Sequence, residues 1–232
     1  NQILLTICFL TTLTTFGQIH LEDSTVQVIG FWNKNEKQDY AVSLEKIKIK
    51  GTDTTSREMI RYDVEVTIRD STAHSYLVEW YYKNFAINSP NKVTQKLMSA
   101  AEDIKVLIET DEFGAIKGVA NWEEVRDYMK AETSKLKKEF KDIPKMDEVI
   151  AQVEKSYSTK TGIEAQAIQD AQQFYTFHGA KYTLHEVLSG QLKTANLYGT
   201  EPFDTDFTVS LDEINPDDNN YILRSTQVVN AD

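Results

Sequence analysis

From Arg61 to Arg69 the chain alternates without a break, with Tyr62, Val64, Val66 and Ile68 on one parity and Asp63, Glu65, Thr67 and Arg69 on the other. Successive side chains of a strand point to opposite faces, so this stretch wants one face buried and the other wet. That requirement excludes an all-helical chain and calls for an antiparallel sheet with something laid over its apolar side. After the turn-prone Asp70-Ser71-Thr72, a second strand from Ser75 to about Tyr82 places Tyr76, Val78, Trp80 and Tyr82 on one face. Upstream, Tyr40, Val42 and Leu44 alternate, and Ile47 and Ile49 continue in shifted phase; a bulge near Glu45 or Lys46 is expected to restore both sets to one side.

The middle of the chain changes period. Ser89-Pro90 reads as the cap and first position of a short helix with Val93, Leu97, Met98 and Ala101 as its stripe. A hairpin follows, Lys105 to Thr110 and Ala115 to Ala120, around Asp111-Glu112-Phe113-Gly114. Three amphipathic helices come next. Asn121 and Glu124 form a capping-box pattern ahead of Val125, Met129, Leu136 and Phe140. The second opens at Asp142 and Pro144 and carries Met146, Val149, Ile150, Val153 and Tyr157; the third opens at Thr161 and Glu164, carries Ile163, Ala167, Ile168, Ala171 and Phe174, and stops at Gly179. Strand patterns then return at Ala180 to Leu188, Gln191 to Tyr198, Asp206 to Glu213 and Tyr221 to about Val229. Setting Tyr62 on Phe207 also sets Val64 on Val209, Val66 on Leu211 and Tyr76 on Tyr221, an echo any two hairpins of like pattern would give.

The expected fold class is α+β: a curved antiparallel sheet, open and half-barrel-like, built from two meanders flanking a central block of helices. Residues 18–232 are expected to form one domain, with 25–88 the first meander, 89–120 a helix and hairpin, 121–179 three helices and 180–229 the second meander.

Residues 1–17 carry a different message. Ile3 to Phe16 is an apolar, Thr-rich run without a charge, followed by the small residue Gly17, and it reads as a secretory signal peptide cleaved after that glycine. The run is too short for the roughly 20 apolar positions of a spanning helix, so no integral membrane segment is expected in the mature chain. Export to the periplasm or the extracellular space is the expectation. Cys8, the single cysteine, lies inside this run, so the mature chain would hold no disulfide, thiolate metal site or cysteine nucleophile. With 36 acidic and 25 basic residues the net charge is −11, which repels phosphate backbones and argues against a nucleic-acid partner.

No strong catalytic signature occurs: no Gly-x-Ser-x-Gly elbow, no phosphate-cradling glycine loop, no His-Glu-x-x-His. His178, His185 and Glu186 form a histidine cluster, yet a gap of seven across Gly179 suits neither a helix nor a strand as a metal site. Asp204, Asp206, Asp217 and Asp218 lack the spacing of a calcium loop and suit turns instead. No catalytic residue, metal or cofactor is assigned. The candidate ligand-binding residues are Tyr62, Tyr76, Trp80 and Tyr82, whose rings pair a large apolar body with a hydrogen-bonding tip. The competing account makes the same residues the core beneath the helices, and the two differ in whether the layer between sheet and helices is hollow or filled.

The stretch Phe16-Gly17-Gln18, the acidic mature chain and the phrase from Gly114-Ala115-Ile116-Lys117-Gly118-Val119 to Ala120-Asn121-Trp122-Glu123-Glu124-Val125 resemble the uncharacterised exported β-rich proteins of Gram-negative bacteria. In architecture the layout is similar to the periplasmic lipoprotein carriers, whose open half-barrel cups acyl chains under helices. That resemblance implies a lipid or other apolar ligand as partner; no binding residue is carried over from it. The expected function is therefore that of an exported non-enzymatic protein binding an apolar or amphipathic ligand between sheet and helices. The alternative is an interaction or structural module engaging an envelope protein, and a carboxylate-dependent hydrolase ranks lowest.

Overall fold

The computed structural model describes residues 18–50, 52–89, 92–194 and 203–230; the expected signal peptide, Pro90 and the strand end at Tyr198 lie outside them. Strands β1 (Ile19–His20), β2 (Thr25–Gln27), β3 (Lys37–Lys50), β4 (Asp53–Ser71) and β5 (Ser75–Asn88) come first. Helix α1 (Lys92–Ser99) and strands β6 (Lys105–Asp111) and β7 (Ile116–Val119) follow. Helices α2 (Trp122–Glu139), α3 (Met146–Ser156), α4 (Lys160–Gln166) and α5 (Gln169–Tyr175) form the helical block. The chain ends in β8 (Lys181–Thr183), β9 (Val187–Thr194), β10 (Phe203–Asn215) and β11 (Asn220–Asn230). The α+β class holds, with open antiparallel sheets and a helical block between two runs of strands. The strands distribute over three sheets rather than one, and the described residues divide into two compact units, one within 28–180 and one within 18–27 and 181–230.

In the larger unit β3-β4-β5-β6-β7 form a five-stranded meander. Tyr62, Val64, Val66 and Ile68 on β4 and Tyr76, Val78, Trp80 and Tyr82 on β5 are all buried, as the alternation demands. Their opposite parity is a charged face, where Lys83 bridges Glu65 and Asp39, Lys37 meets Glu65, and Arg69 grips Glu79 through two nitrogens. Burial of the apolar face against helices supplies the driving force, at roughly 25 cal/mol for each Å² of apolar surface removed from water.

Bulges decide where this simple parity ends. Between Arg61 and Asp63 of β4, strand β5 carries extra residues around Asn84, which takes positive φ (58°) and donates its amide to Asp63. The slip flips the face of everything downstream, so the odd-numbered Phe85 and Ile87 join the core that Tyr82 began. The bulge expected near Glu45 or Lys46 stands instead at Lys48/Ile49. Pairing of β3 with β4 is continuous from Lys37 to Lys48, so Ile47 falls on the opposite parity from Tyr40 and Val42 and is 48 % exposed.

The helices cover the sheet through their apolar stripes. Val125 and Met129 of α2, Ile163 of α4, and Ile168, Ala171 and Tyr175 pack in one cluster with the inward residues of β4, β5 and β6. A second cluster joins Ala100 to Leu136, Met146 and Ile150. Three helical expectations are corrected. Asn121 does not cap α2 with its side chain; its Oδ1 accepts the Leu107 N–H at 2.8 Å and its amide donates to Lys105 O, clipping the helix start to β6. Helix α3 starts at Met146 rather than Asp142, after Lys145 in the left-handed region, and Val149 is exposed. The third helix is broken at Ile168, whose φ −124° and ψ 25° are not helical; α4 is capped by Thr159, which accepts the Gly162 N–H, and α5 begins anew at Gln169. Gly179, at φ 86°, ends the block as expected.

In the smaller unit β1-β2-β8 and β9-β10-β11 are separate three-stranded antiparallel sheets, linked by an isolated bridge of Leu184 to Leu211. Val26, Tyr182, Val209 and Leu211 are buried there, and Tyr221 donates its hydroxyl to Gln18. Thus Thr25–Gln27, expected in the first meander, pairs with Lys181–Thr183 instead.

Candidate functional site

The four residues singled out for ligand binding divide into two groups under the helices. Val64 pairs with Tyr82 across β4 and β5, and Val66 with Trp80, so the aromatic residues form rows on the inner face. At one end the Tyr62 hydroxyl donates to Asp170 Oδ2 at 2.8 Å, and the Tyr82 hydroxyl lies 2.6 Å from Asp170 Oδ1 and 2.8 Å from the Ala167 carbonyl. Asp170 stands in the first turn of α5, where its Oδ1 also accepts the Ala171 N–H at 2.8 Å. The Tyr62 ring stacks on Phe85 at 4.8 Å. Burial, reinforced by the Asp170 charge and hydrogen bond, pushes both phenols far above their ordinary value, so they remain neutral donors.

At the other end Tyr76 donates its hydroxyl to Gly30 O at 3.2 Å and meets Trp32 edge-on at 5.0 Å. Trp80 packs its ring against Tyr175 and Phe174 at 5.8 and 5.9 Å. Tyr175 and Trp32 also enclose His178, at 5.0 and 5.6 Å between ring centres. Burial lowers the His178 pKa. Its Nδ1, together with Trp80 Nε1 and Thr67 Oγ1, is buried with no hydrogen-bond partner among the described residues. The layer between sheet and helices is occupied by these side chains.

His178 belongs to the larger unit, whereas His185 and Glu186 belong to the smaller. Asp206 accepts the Gln191 amide and Asp218 accepts from Asn215, which is turn and strand chemistry. Among the described residues no three His, Cys, Asp or Glu side chains gather to hold a metal ion, and no helix there is long and apolar enough to cross a membrane.

Concavities occur away from the aromatic layer. A cavity of about 690 Å³ lies at the tips of the β4–β5 and β6–β7 hairpins, bordered by Asp70, His74, Glu109, Asp111 and Lys117. Its acids are partly spent: Asp111 accepts the Phe113 and Ala115 N–H groups and meets Lys117, and Asp70 meets Lys34. A smaller cavity, about 250 Å³, lies where α2 passes the C-terminal end of α3. Periodicity placed Met129 and Tyr157 on the apolar stripes of their helices but gave no signal that the two meet beside Arg126, Lys130 and Glu154, because that meeting depends on how two helices pack.

Each of the three sheets ends in two strands that pair on one side only among the described residues, and β3 and β11 are the longest of these. β3 pairs only with β4, and β11 only with β10, among the described residues. β3 is blunted by its sequence, with Lys37, Asp39, Glu45, Lys46, Lys48 and Lys50 along its length. β11 holds a single charge, Arg224, and exposes Ile222, Val228 and Val229. The chain matches no protein-family model, no curated protein and no solved structure.

Proposed function

We propose that the protein is an exported, non-enzymatic interaction module that takes up an extended segment of an envelope polypeptide along the free edge of β11. The observation that carries this reading is the unblunted edge itself. β11 offers its outer row of backbone N–H and C=O groups over Asn220–Asn230, without proline and with one charge. Such an edge is a template for strand addition, in which main-chain bonds supply affinity and alternate side chains supply selectivity. Ile222, Val228 and Val229, each at least 44 % exposed, supply apolar contact along it. The leader-like run Ile3 to Phe16 supports the exported part of the reading. The edge is preferred to the sheet–helix layer because the rings of Tyr62, Tyr76, Trp80 and Tyr82 are packed in the core and the three tyrosine hydroxyls are already hydrogen-bonded there.

The test is a panning of random extended peptides against the intact chain, followed by hydrogen exchange on the complexes. Binders are expected to be strand-forming, to slow exchange of the amides of β11, and to be lost in the double variant Ile222→Lys, Val228→Lys. Binders that leave β11 exchange unchanged, or that ignore both substitutions, overturn the reading.

A further inference from the structure

One wall of the smaller cavity is built by helical spacing, the other by the end of α3 and the residues that leave it. Arg126, Met129 and Lys130 stand at i, i+3 and i+4 on α2, and Glu154 stands in the last turn of α3 with Tyr157 and Ser158 just past its end. Met129 is buried and Tyr157 half-buried, so the floor is apolar. Of the polar groups around that floor, Ser158 donates its hydroxyl to Lys155 O at 2.7 Å, while Lys130, Arg126 and Tyr157 keep donors to spare among the described residues. The Lys130 ammonium makes no ion pair among the described residues. Arg126 commits its Nε to Asp127 at 2.8 Å and rests over the Trp122 ring, leaving its terminal nitrogens without a partner there. The Tyr157 hydroxyl has no hydrogen-bond partner among the described residues, and burial alone lifts its pKa to about 12, so it is a neutral donor.

The far wall has the opposite polarity. Glu154 accepts the Thr133 hydroxyl at 3.1 Å, and the carbonyl end of α3 adds partial negative charge beside it. A bound anion is therefore turned toward α2.

We propose that this cavity binds a small carboxylate with a short apolar body, its head between Arg126 and Lys130 and its body on Met129 and Tyr157. The volume, about 250 Å³, falls below the roughly 300–1,000 Å³ of drug-sized sites, which limits the body to a single ring or a short acyl chain. A guanidinium and an ammonium over an apolar floor favour an anion with a hydrophobic tail over a bare inorganic anion, because the tail removes the Met129 and Tyr157 surfaces from water. The site is independent of strand addition at β11.

The experiment is titration of the intact chain with hydrocinnamate and, in parallel, with its neutral amide, followed by calorimetry and by amide NMR shifts. Saturable binding of the carboxylate is expected, about tenfold tighter than that of the amide, with shifts on α2 and the end of α3. Lys130→Gln and Arg126→Gln should each weaken the carboxylate about five- to tenfold and leave the amide unaffected. Lys130 is exposed, so Lys130→Gln tests the charge without disturbing the core. Lys141→Gln, a lysine outside the cavity, should change nothing. Absence of saturation, equal affinity for acid and amide, or an equal loss in Lys141→Gln each overturns the proposal.

Discussion

Tyr82 Oη lies 2.6 Å from Asp170 Oδ1, joining the sheet to a residue 88 positions later in the first turn of α5. The other carboxylate oxygen receives Tyr62, so one acid ties two strands to one helix. The hydroxyls that made these tyrosines attractive as ligand contacts are consumed by the fold itself.

This tie predicts a coupled loss of stability. Tyr82→Phe and Tyr62→Phe should each cost about 1–2 kcal/mol, and Asp170→Ala should cost more, because it strands the Tyr62 hydroxyl, at about 1–3 kcal/mol, and leaves Tyr82 only the Ala167 carbonyl. The double variant Tyr62→Phe, Tyr82→Phe should be non-additive, since both groups share Asp170. Urea unfolding of the four variants measures this; strict additivity would show that the two hydroxyls act separately.

Thr67 predicts a gain. It is 1 % exposed and its Oγ1 has no partner among the described residues. Thr67→Val keeps the branched shape and removes an unsatisfied hydroxyl, so stability should rise by about 1 kcal/mol. An unchanged or lower urea midpoint contradicts that account.

Gly162 should tolerate nothing larger. A Cβ there would lie 2.1 Å from the Ser156 carbonyl oxygen, which is backbone and cannot swing aside. Gly162→Ala is expected to cost about 1–3 kcal/mol by crowding, against the usual gain of Gly→Ala in a helix. Thermal unfolding gives the sign directly.

His178 predicts an acid-sensitive component. Burial holds its pKa below the ordinary histidine value, so the unfolded chain protonates first as pH falls through about 6.5. The contribution is fully present above that pH, is lost as pH drops toward the folded pKa, and stays lost below it. Replacing the ring by His178→Phe should narrow the difference in urea midpoint between about pH 7.5 and about pH 5. A difference as wide as in the parent chain would show that the folded ring protonates freely.

Legibility followed the range of the interaction. The inward parity of Tyr62 to Ile68 and of Tyr76 to Tyr82 was readable because a strand's two-residue period is local and only one face can be dry. The stripe Val125, Met129 and Leu136 was readable for the same reason at helical period. Asn121 misled, because a cap signature and a side chain reaching back to Leu107 look alike until β6 is in place. The aromatic face was found, yet whether it was hollow or filled was beyond any period.

What the sequence by itself determined is the alternation that demands a half-buried antiparallel sheet and the stripes that supply its cover. Tertiary structure alone decided the rest. It broke the last helix at Ile168 so that Asp170 meets Tyr62 and Tyr82, and it flipped parity at Asn84 so that Phe85 completes their stack. It also paired Thr25–Gln27 with Lys181–Thr183, which stand on either side of the whole larger unit in sequence. The physical reason is that periodicity is set by neighbouring residues, whereas a helix break, a bulge or a distant pairing is chosen by the partner it brings into contact.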